Sequence, residues 1–346
     1  MANLSDVAKK AGVSVATVSR FLNGSLSLPE ARAQQIRDAV AELRYVPNPH
    51  ARRLSRGRSD AVGLVVPDIA GPFFSHLVAA IEEEADRLDL GLVLHATLNR
   101  PAREMRYLDG LRMRHLDGMI FVTNRAADDT LLDAVSSCRN LVLLDEDVPG
   151  ARVPKVFCDN EAGGRMAGAH LAAMGHRSVL FVGGIEEMIS GRRRLRGFEQ
   201  AMAEGSDGPV RIDRVRGTYT PETGREAGRR FLRMDPRPTA IFASSDEILI
   251  GLIEVLRDAL VSIPGDVSIL GFDDVGPLHL FSPPVTAIRQ PVRDLGRSAL
   301  GMLLETLKDD TGETASTEKL LPVTLVERAS VAPPAGNAKR RSTGRT

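Results

Sequence analysis

The chain of 346 residues is 43% hydrophobic and formally neutral, too long for one ordinary domain and apolar enough for sizeable cores. No run reaches the roughly 18–20 apolar residues that span a bilayer, and no secretory signal opens the chain, so a cytoplasmic protein with no membrane partner is expected. Two cysteines outside any CxxC pair (Cys138 and Cys158) and seven scattered histidines without HExxH spacing argue against a disulfide framework or a metal site; both thiols read as buried structural groups, and no cofactor is expected.

The charge is unevenly placed. Residues 1–59 carry ten Lys/Arg against four Asp/Glu, while 60–330 carry 31 against 41. A basic N-terminal segment on an acidic body suits one end that meets a polyanion, although solvated basic surfaces are common.

In chain order, Leu4, Val7, Ala8 and Ala11 follow helical spacing, which predicts a short helix over 5–11 with Ser5 as its N-cap. Gly12 ends it in a tight turn at little backbone cost. Ser14 is placed to cap a second helix. There Val15, Val18 and Leu22 are candidates to face inward, while Ala16, Thr17, Ser19 and Arg20 stay outside. Two short helices joined by a Gly-containing turn make a helix-turn-helix, whose second helix enters the DNA major groove. A third helix, opened by Pro29, carries Ala33, Ile36, Val40 and Leu43 at helical spacing and completes a small core. Tyr45-Val46-Pro47-Asn48-Pro49 breaks it. The basic stretch after it, 50–59, has two apolar side chains and reads from composition alone as a solvated linker.

Beyond Asp60 short apolar runs (Val62–Val66, Leu92–Leu94, Met119–Val122, Leu141–Leu144, Val179–Val182, Ala240–Ala243, Val267–Leu270) alternate with amphipathic helical stretches. That alternation predicts parallel sheets covered on both faces, in two half-bodies of about 130 residues. Ligands of such sheets bind beyond the carboxyl ends of the strands, and two facing subdomains make a cleft. Enzyme signatures are missing: no GxGxxG after the first strand, no GxxxxGK[ST] and no GxSxG elbow. Asp273-Asp274 lacks a neighbouring nucleophile or metal motif, so no enzyme is expected.

The stretches DVAKKAGVSVATVSRFLNG, YVPNPHARRLSRGRS and VGLVVPDIAGPFF together resemble the LacI/GalR family of bacterial transcription regulators, and the resemblance covers nearly the whole chain. It implies an all-α helix-turn-helix headpiece (1–47), a hinge helix (48–59) and a periplasmic-binding-protein-like body (60–330). The body would hold one subdomain of about 60–160 and 290–322 and another of about 161–289 and 323–330. The polar, basic 331–346 reads as a disordered tail.

The resemblance places Val15 and Ala16 at the operator-discriminating start of the recognition helix. Both suit thymine methyls, with core packing the alternative. Arg20 matches the arginine that pairs with guanine, or contacts phosphate only. Ser14, Thr17, Ser19 and Asn23 are assigned to phosphates, which position without reading sequence. Ala51 and Leu54 would enter the minor groove, Leu54 as a wedge. Arg52, Arg53, Arg56 and Arg58 are groove contacts, phosphate contacts or solvated charge.

For the effector, the matching positions are Phe73, Asp145, Phe157, Arg192, Tyr219, Ser245, Asp273 and Gln290. Arg192 would offer a fork of donors and Asp273 two acceptors, suited to vicinal hydroxyls, with Tyr219, Phe73 and Phe157 stacking on a ring. Asp145 and Asp246 are equally readable as helix caps, Phe73 and above all Phe74 are readable as core, and Arg193 and Arg194 read as surface charge. The acidic run Asp145-Glu146-Asp147 disfavours an anionic ligand, so a neutral sugar is expected, with a purine or nucleoside as the alternative. The expected partners are palindromic operator DNA, a small effector and a second copy in a homodimer. A periplasmic solute-binding protein would share the body, and a nucleoid protein only the headpiece.

Overall fold

The computed structural model describes residues 2–23, 26–45, 61–309 and 316–335. They fall into two compact units that divide at residues 60 and 61.

The smaller unit holds α1 (Leu4–Ala11), α2 (Val15–Leu22) and α3 (Glu30–Glu42). The cap of α1 is Asn3, not the expected Ser5. Its side chain accepts from the Asp6 amide at 3.1 Å while Asp6 accepts from the Asn3 amide at 2.9 Å. This reciprocal capping box leaves Ser5 inside the first turn. Gly12, at φ +63°, carries the left-handed turn that ends α1. Val7, Ala8, Ala11, Val18, Ile36 and Ala39 form the small core. Val15 does not join it: it opens α2 and is 44% exposed, and Val18, three residues on, takes the interior place.

The larger unit contains, in chain order, β1 (Ala61–Val66), α4 (Pro72–Arg87), β2 (Gly91–Ala96), α5 (Pro101–Arg112), β3 (Gly118–Phe121), α6 (Asp129–Ser136), β4 (Leu141–Leu144), β5 (Lys155–Cys158), α7 (Asn160–Ala173), β6 (Ser178–Gly183), α8 (Ile189–Glu204), β7 (Arg211–Arg216), α9 (Pro221–Arg233), β8 (Ala240–Ala243), α10 (Asp246–Asp258), β9 (Ser268–Phe272), β10 (Thr286–Arg289), α11 (Val292–Lys308), β11 (Glu318–Leu321) and β12 (Thr324–Val326). Two six-stranded sheets result, ordered β11-β5-β4-β3-β1-β2 and β12-β10-β9-β8-β6-β7. Every pair is parallel except β10–β12. The sheets share one topology, so β1 through β5 correspond in position to β6 through β10.

The chain leaves the first lobe after β5. It returns through α11, whose Leu295, Ala299, Leu300 and Leu303 join the first lobe's core, and crosses back between β11 and β12. Burial on both faces explains why β1, β3, β4 and β8 read as unbroken apolar runs. β2 differs: it is a sheet edge, and Val93 and Leu94 are exposed. The charged edge strand β7 and the exposed β11 carry no apolar run, and the sequence pattern passes over them.

The expectation of a disordered tail from 331 needs correction. Val331 is buried in the second lobe, and the Ala332 amide and carbonyl both hydrogen-bond the Ser268 hydroxyl at 3.0 Å. Those contacts bind the chain to β9 beyond residue 330; residues 336–346 lie outside the described residues.

Candidate functional site

On the headpiece, Ser14 caps α2 by accepting from the Thr17 amide at 3.1 Å, and the two hydroxyls pair at 2.8 Å. That cap fixes the start of the helix, so Val15, Ala16, Ser19 and Arg20, spaced i, i+1, i+4 and i+5, share one face. Val15, Ala16 and Arg20 are exposed; Thr17, Ser19 and Asn23 are half-buried. The face offers apolar surface beside a guanidinium and hydroxyls, which suits groove-floor methyls and acceptors. Ala51 and Leu54, with Arg52, Arg53, Arg56 and Arg58, lie outside the described residues.

In the body a cleft opens between the lobes at the carboxyl ends of the strands. The first lobe lines it with Gly71, Phe73 and Phe74 after β1, Asn124 after β3 and Asp145 after β4. The second lobe adds Met188, Ser190 and Arg194 after β6, Tyr219 after β7, Ser245, Asp246 and Glu247 after β8, and Asp273 after β9. Gln290 stands where the chain crosses back.

The cleft's arginine is Arg194, not the expected Arg192. Arg192 is exposed, and its assignment is corrected by helical phase. Gly191, Arg194, Leu195, Phe198, Ala201 and Met202 form the buried stripe of α8, and Arg192 lies off it. Close packing of α7 on α8 sets the guanidinium's place: a Cβ at Gly164 would strike the Arg194 carbonyl, and one at Gly197 the Glu161 carbonyl. Arg194 Nε donates to Asn160 Oδ1 at 2.7 Å and one terminal nitrogen to the Ser244 carbonyl at 2.6 Å, with the guanidinium 3.7 Å above the Phe272 ring. Burial opposes its charge, but Asp273, Tyr219 and Asp145 outweigh that and hold it firmly protonated.

Asp145 and Asp273 occupy equivalent places after β4 and β9, and both have left-handed backbones, φ +73° and +71°. Such a conformation is uncommon for a residue with a Cβ, and aspartate is among those that adopt it most readily. Burial pushes Asp145 up to about 7, with Arg194 opposing and Asp273 and Glu146 adding to the rise. Burial likewise raises Asp273, against the pull of Arg194 and of Gln290, whose amide donates to Asp273 Oδ1 at 2.5 Å. Among the described residues, Asp145 Oδ1 and Gln290 Oε1 are buried acceptors without a hydrogen bond.

Tyr219 sits in a slot cut by two glycines. A Cβ at Gly184 would lie 2.6 Å from its ring, and one at Gly191 2.8 Å from its hydroxyl. Ser245 lines the cleft while capping α10, accepting from the Ile248 amide at 3.3 Å. Phe73 lines the cleft and belongs to the first lobe's core as well, in edge contact with Phe74. Phe157 does not reach the cleft. It lies inside the first sheet, in register with Leu320 of β11, and is fully buried there. The residues that sequence reasoning missed are Asn124, Met188, Ser190, Arg194 and Glu247; only Arg194 had a readable signal, its place on the apolar stripe.

A helix-turn-helix headpiece and a two-lobed body with a polar cleft are the architecture of a DNA-binding regulator with an effector-binding domain. Residues 3–48 match the profile described as bacterial regulatory proteins, lacI family, and residues 169–331 match the periplasmic binding protein-like domain. The chain is 32% identical over 331 residues to the HTH-type transcriptional repressor PurR of Actinobacillus pleuropneumoniae, covering 95% of this chain and 98% of that one. Among solved structures, the lac repressor dimer bound to operator and the anti-inducer ONPF matches with a TM-score of 0.81 at 26% identity, over 96% of this chain and 99% of that one. A complex of the transcriptional regulator CelR with cellobiose matches with a TM-score of 0.69 at 30% identity, over 96% and 100%. The chain belongs to the LacI family of bacterial transcriptional regulators, with an N-terminal DNA-binding domain and an effector-binding body.

Proposed function

We propose that this protein is a repressor that binds a palindromic operator as a homodimer in the cytoplasm, and that a neutral, hydroxyl-rich ligand of the sugar class controls it from the cleft. The observation that carries the ligand class is the surplus of acceptors. Asp145 Oδ1 and Gln290 Oε1 are buried without a partner, beside the carboxylates of Asp273 and Asp246 and a single arginine. A sugar supplies hydroxyl donors to those acceptors, presents vicinal oxygens to Arg194 and offers an apolar ring face to Tyr219, Phe73 and Phe74. A phosphorylated ligand would keep these buried acids protonated or meet them as like charges, a cost that a neutral ligand does not carry.

A purine is the second reading, favoured by the 32% identity to the repressor PurR. Its flat ring suits Tyr219 and Phe74, and its amino groups suit the same acceptors. On the DNA side, the exposed Val15, Ala16 and Arg20 support direct readout by α2, and Leu54 is kept as the wedge. The dimer reading draws support from β2, an edge strand with exposed Val93 and Leu94, the kind of edge that proteins ordinarily cover.

The test is fluorescence anisotropy of DNA from upstream of the protein's own gene, with panels of neutral sugars, sugar phosphates and purines. A palindromic site whose affinity one neutral sugar shifts at least about fivefold supports the reading. A shift with purines alone establishes the second reading, and a shift with sugar phosphates alone removes both.

A further inference from the structure

The helices that follow the equivalent strands β1 and β6 both begin without a capping side chain of their own. Gly71 holds the N-cap position of α4 and Met188 that of α8. Neither residue offers an oxygen to the free amides of the first helical turn. In each case the acceptor comes from the opposite lobe. Asp246, in the second lobe, accepts from the Phe73 amide of α4 through Oδ2 at 3.0 Å. Glu146, in the first lobe, accepts from the Ile189 amide through Oε1 at 2.8 Å and from the Ser190 amide through Oε2 at 3.3 Å, and the Ser190 hydroxyl also donates to it.

The two contacts are reciprocal. Each lobe gives one carboxylate and receives one at a helix start, where the amides carry partial positive charge. Glu146 and Asp246 are both buried, so each contact is made away from bulk water. The Glu247 carboxylate of the second lobe also approaches the start of α4 at Gly71. Ser190 and Asp246 also line the cleft, so both contacts form at its walls.

We infer that Glu146 and Asp246 are positioning residues that form a two-point clasp, closing the lobes over the cleft so that ligand can enter or leave only when both contacts part together. This goes beyond the ligand reading, because it holds whichever molecule the cleft takes. Opening the lobes breaks both contacts, and so weakening either one raises the population in which both are broken. A pair of independent local caps has no such coupling.

Hydrogen exchange on the ligand-free full-length protein, read by mass spectrometry with residue-level fragmentation, separates the two cases. In Glu146→Ala, exchange at the Ile189 and Ser190 amides rises, and the clasp further requires the distant Phe73 amide to exchange about fivefold to tenfold faster. Asp246→Ala gives the mirror result at Ile189 and Ser190. Ser190→Ala removes one hydrogen bond to Glu146 and keeps both carboxylates; it speeds Phe73 by about twofold to threefold, and it serves if either alanine variant does not fold. Acceleration confined to each variant's own partner amides, or none at any of them, overturns the clasp.

Discussion

The two lobes repeat one strand order yet contribute unequally to the cleft. The second lobe brings the guanidinium of Arg194, the Asp273–Gln290 pair and the Tyr219 wall, each fixed by neighbours in its own lobe or at the crossover. The first lobe brings Phe73, Phe74, Asn124 and one buried acid, Asp145; an acceptor stays open on Asp145 as on Gln290. The difference teaches a division of labour: the second lobe holds a pre-set polar surface that orients a ligand, and the first lobe covers it and adds one further contact. Preorganised groups lose little entropy on binding, so the second lobe should dominate affinity.

Four measurements sharpen or break that contrast. The largest effect is expected from Arg194→Ala. It removes a buried cation among carboxylates and should cost about 3–5 kcal/mol of stability, with ligand affinity falling more than about 100-fold. Chemical denaturation and calorimetric titration check both, and a loss under about 1 kcal/mol would deny the second lobe its leading part. Asp145→Asn, in the first lobe, should lower affinity about tenfold while leaving the fold intact, because an NH2 donor replaces one carboxyl oxygen that a ligand hydroxyl would bond. An effect equal to that of Arg194→Ala would make the lobes equal partners.

A pH series tests the carboxylates directly. Burial holds Asp145 up at about 7, and burial with the neighbouring Asp273 holds Asp246 up at about 8. Groups raised in the folded state add stability that is fully present below the unfolded value of about 4 and is lost as pH rises through the folded values. The melting temperature should therefore fall by a few degrees from about pH 5.5 to pH 8.5, and Asp145→Asn should flatten the lower part of that slope. A rise over the same interval contradicts the assignment. The smallest effect is expected from Arg192→Ala: exposed on α8, it should change stability by less than about 0.5 kcal/mol and leave ligand affinity unchanged.

How much of this was legible in the sequence depended on how local the cause was. The helix-turn-helix could be read because Gly12, Ser14 and Val18 act within one or two turns of chain. The buried strands could be read because burial on both faces leaves an unbroken apolar run. Edge strands such as β7 and β11 face water and carry no such mark. Within the cleft, Asp145, Asp273 and Ser245 sit at strand ends, which the alternation of runs locates. Arg194 was hidden among three arginines until helical phase separated it from Arg192 and Arg193, and Phe157 was misplaced because a strand-end aromatic looks alike in sequence whether it reaches a cleft or stays buried within the lobe. Glu146 and Asp246 find their partners 44 and 173 residues away. No local pattern reports a contact of that span.

The strands β11 and β12 lie at the outer edges of the two sheets, and the segment after β12 is laced onto β9. During synthesis, then, the first sheet cannot be finished before residue 321 nor the second before residue 326, even though most of both lobes has been made long before. A chain ending ahead of residue 316 would keep the headpiece but lack both outer strands, leaving β5 and β10 as the sheet edges and β9 without its lacing at Ser268.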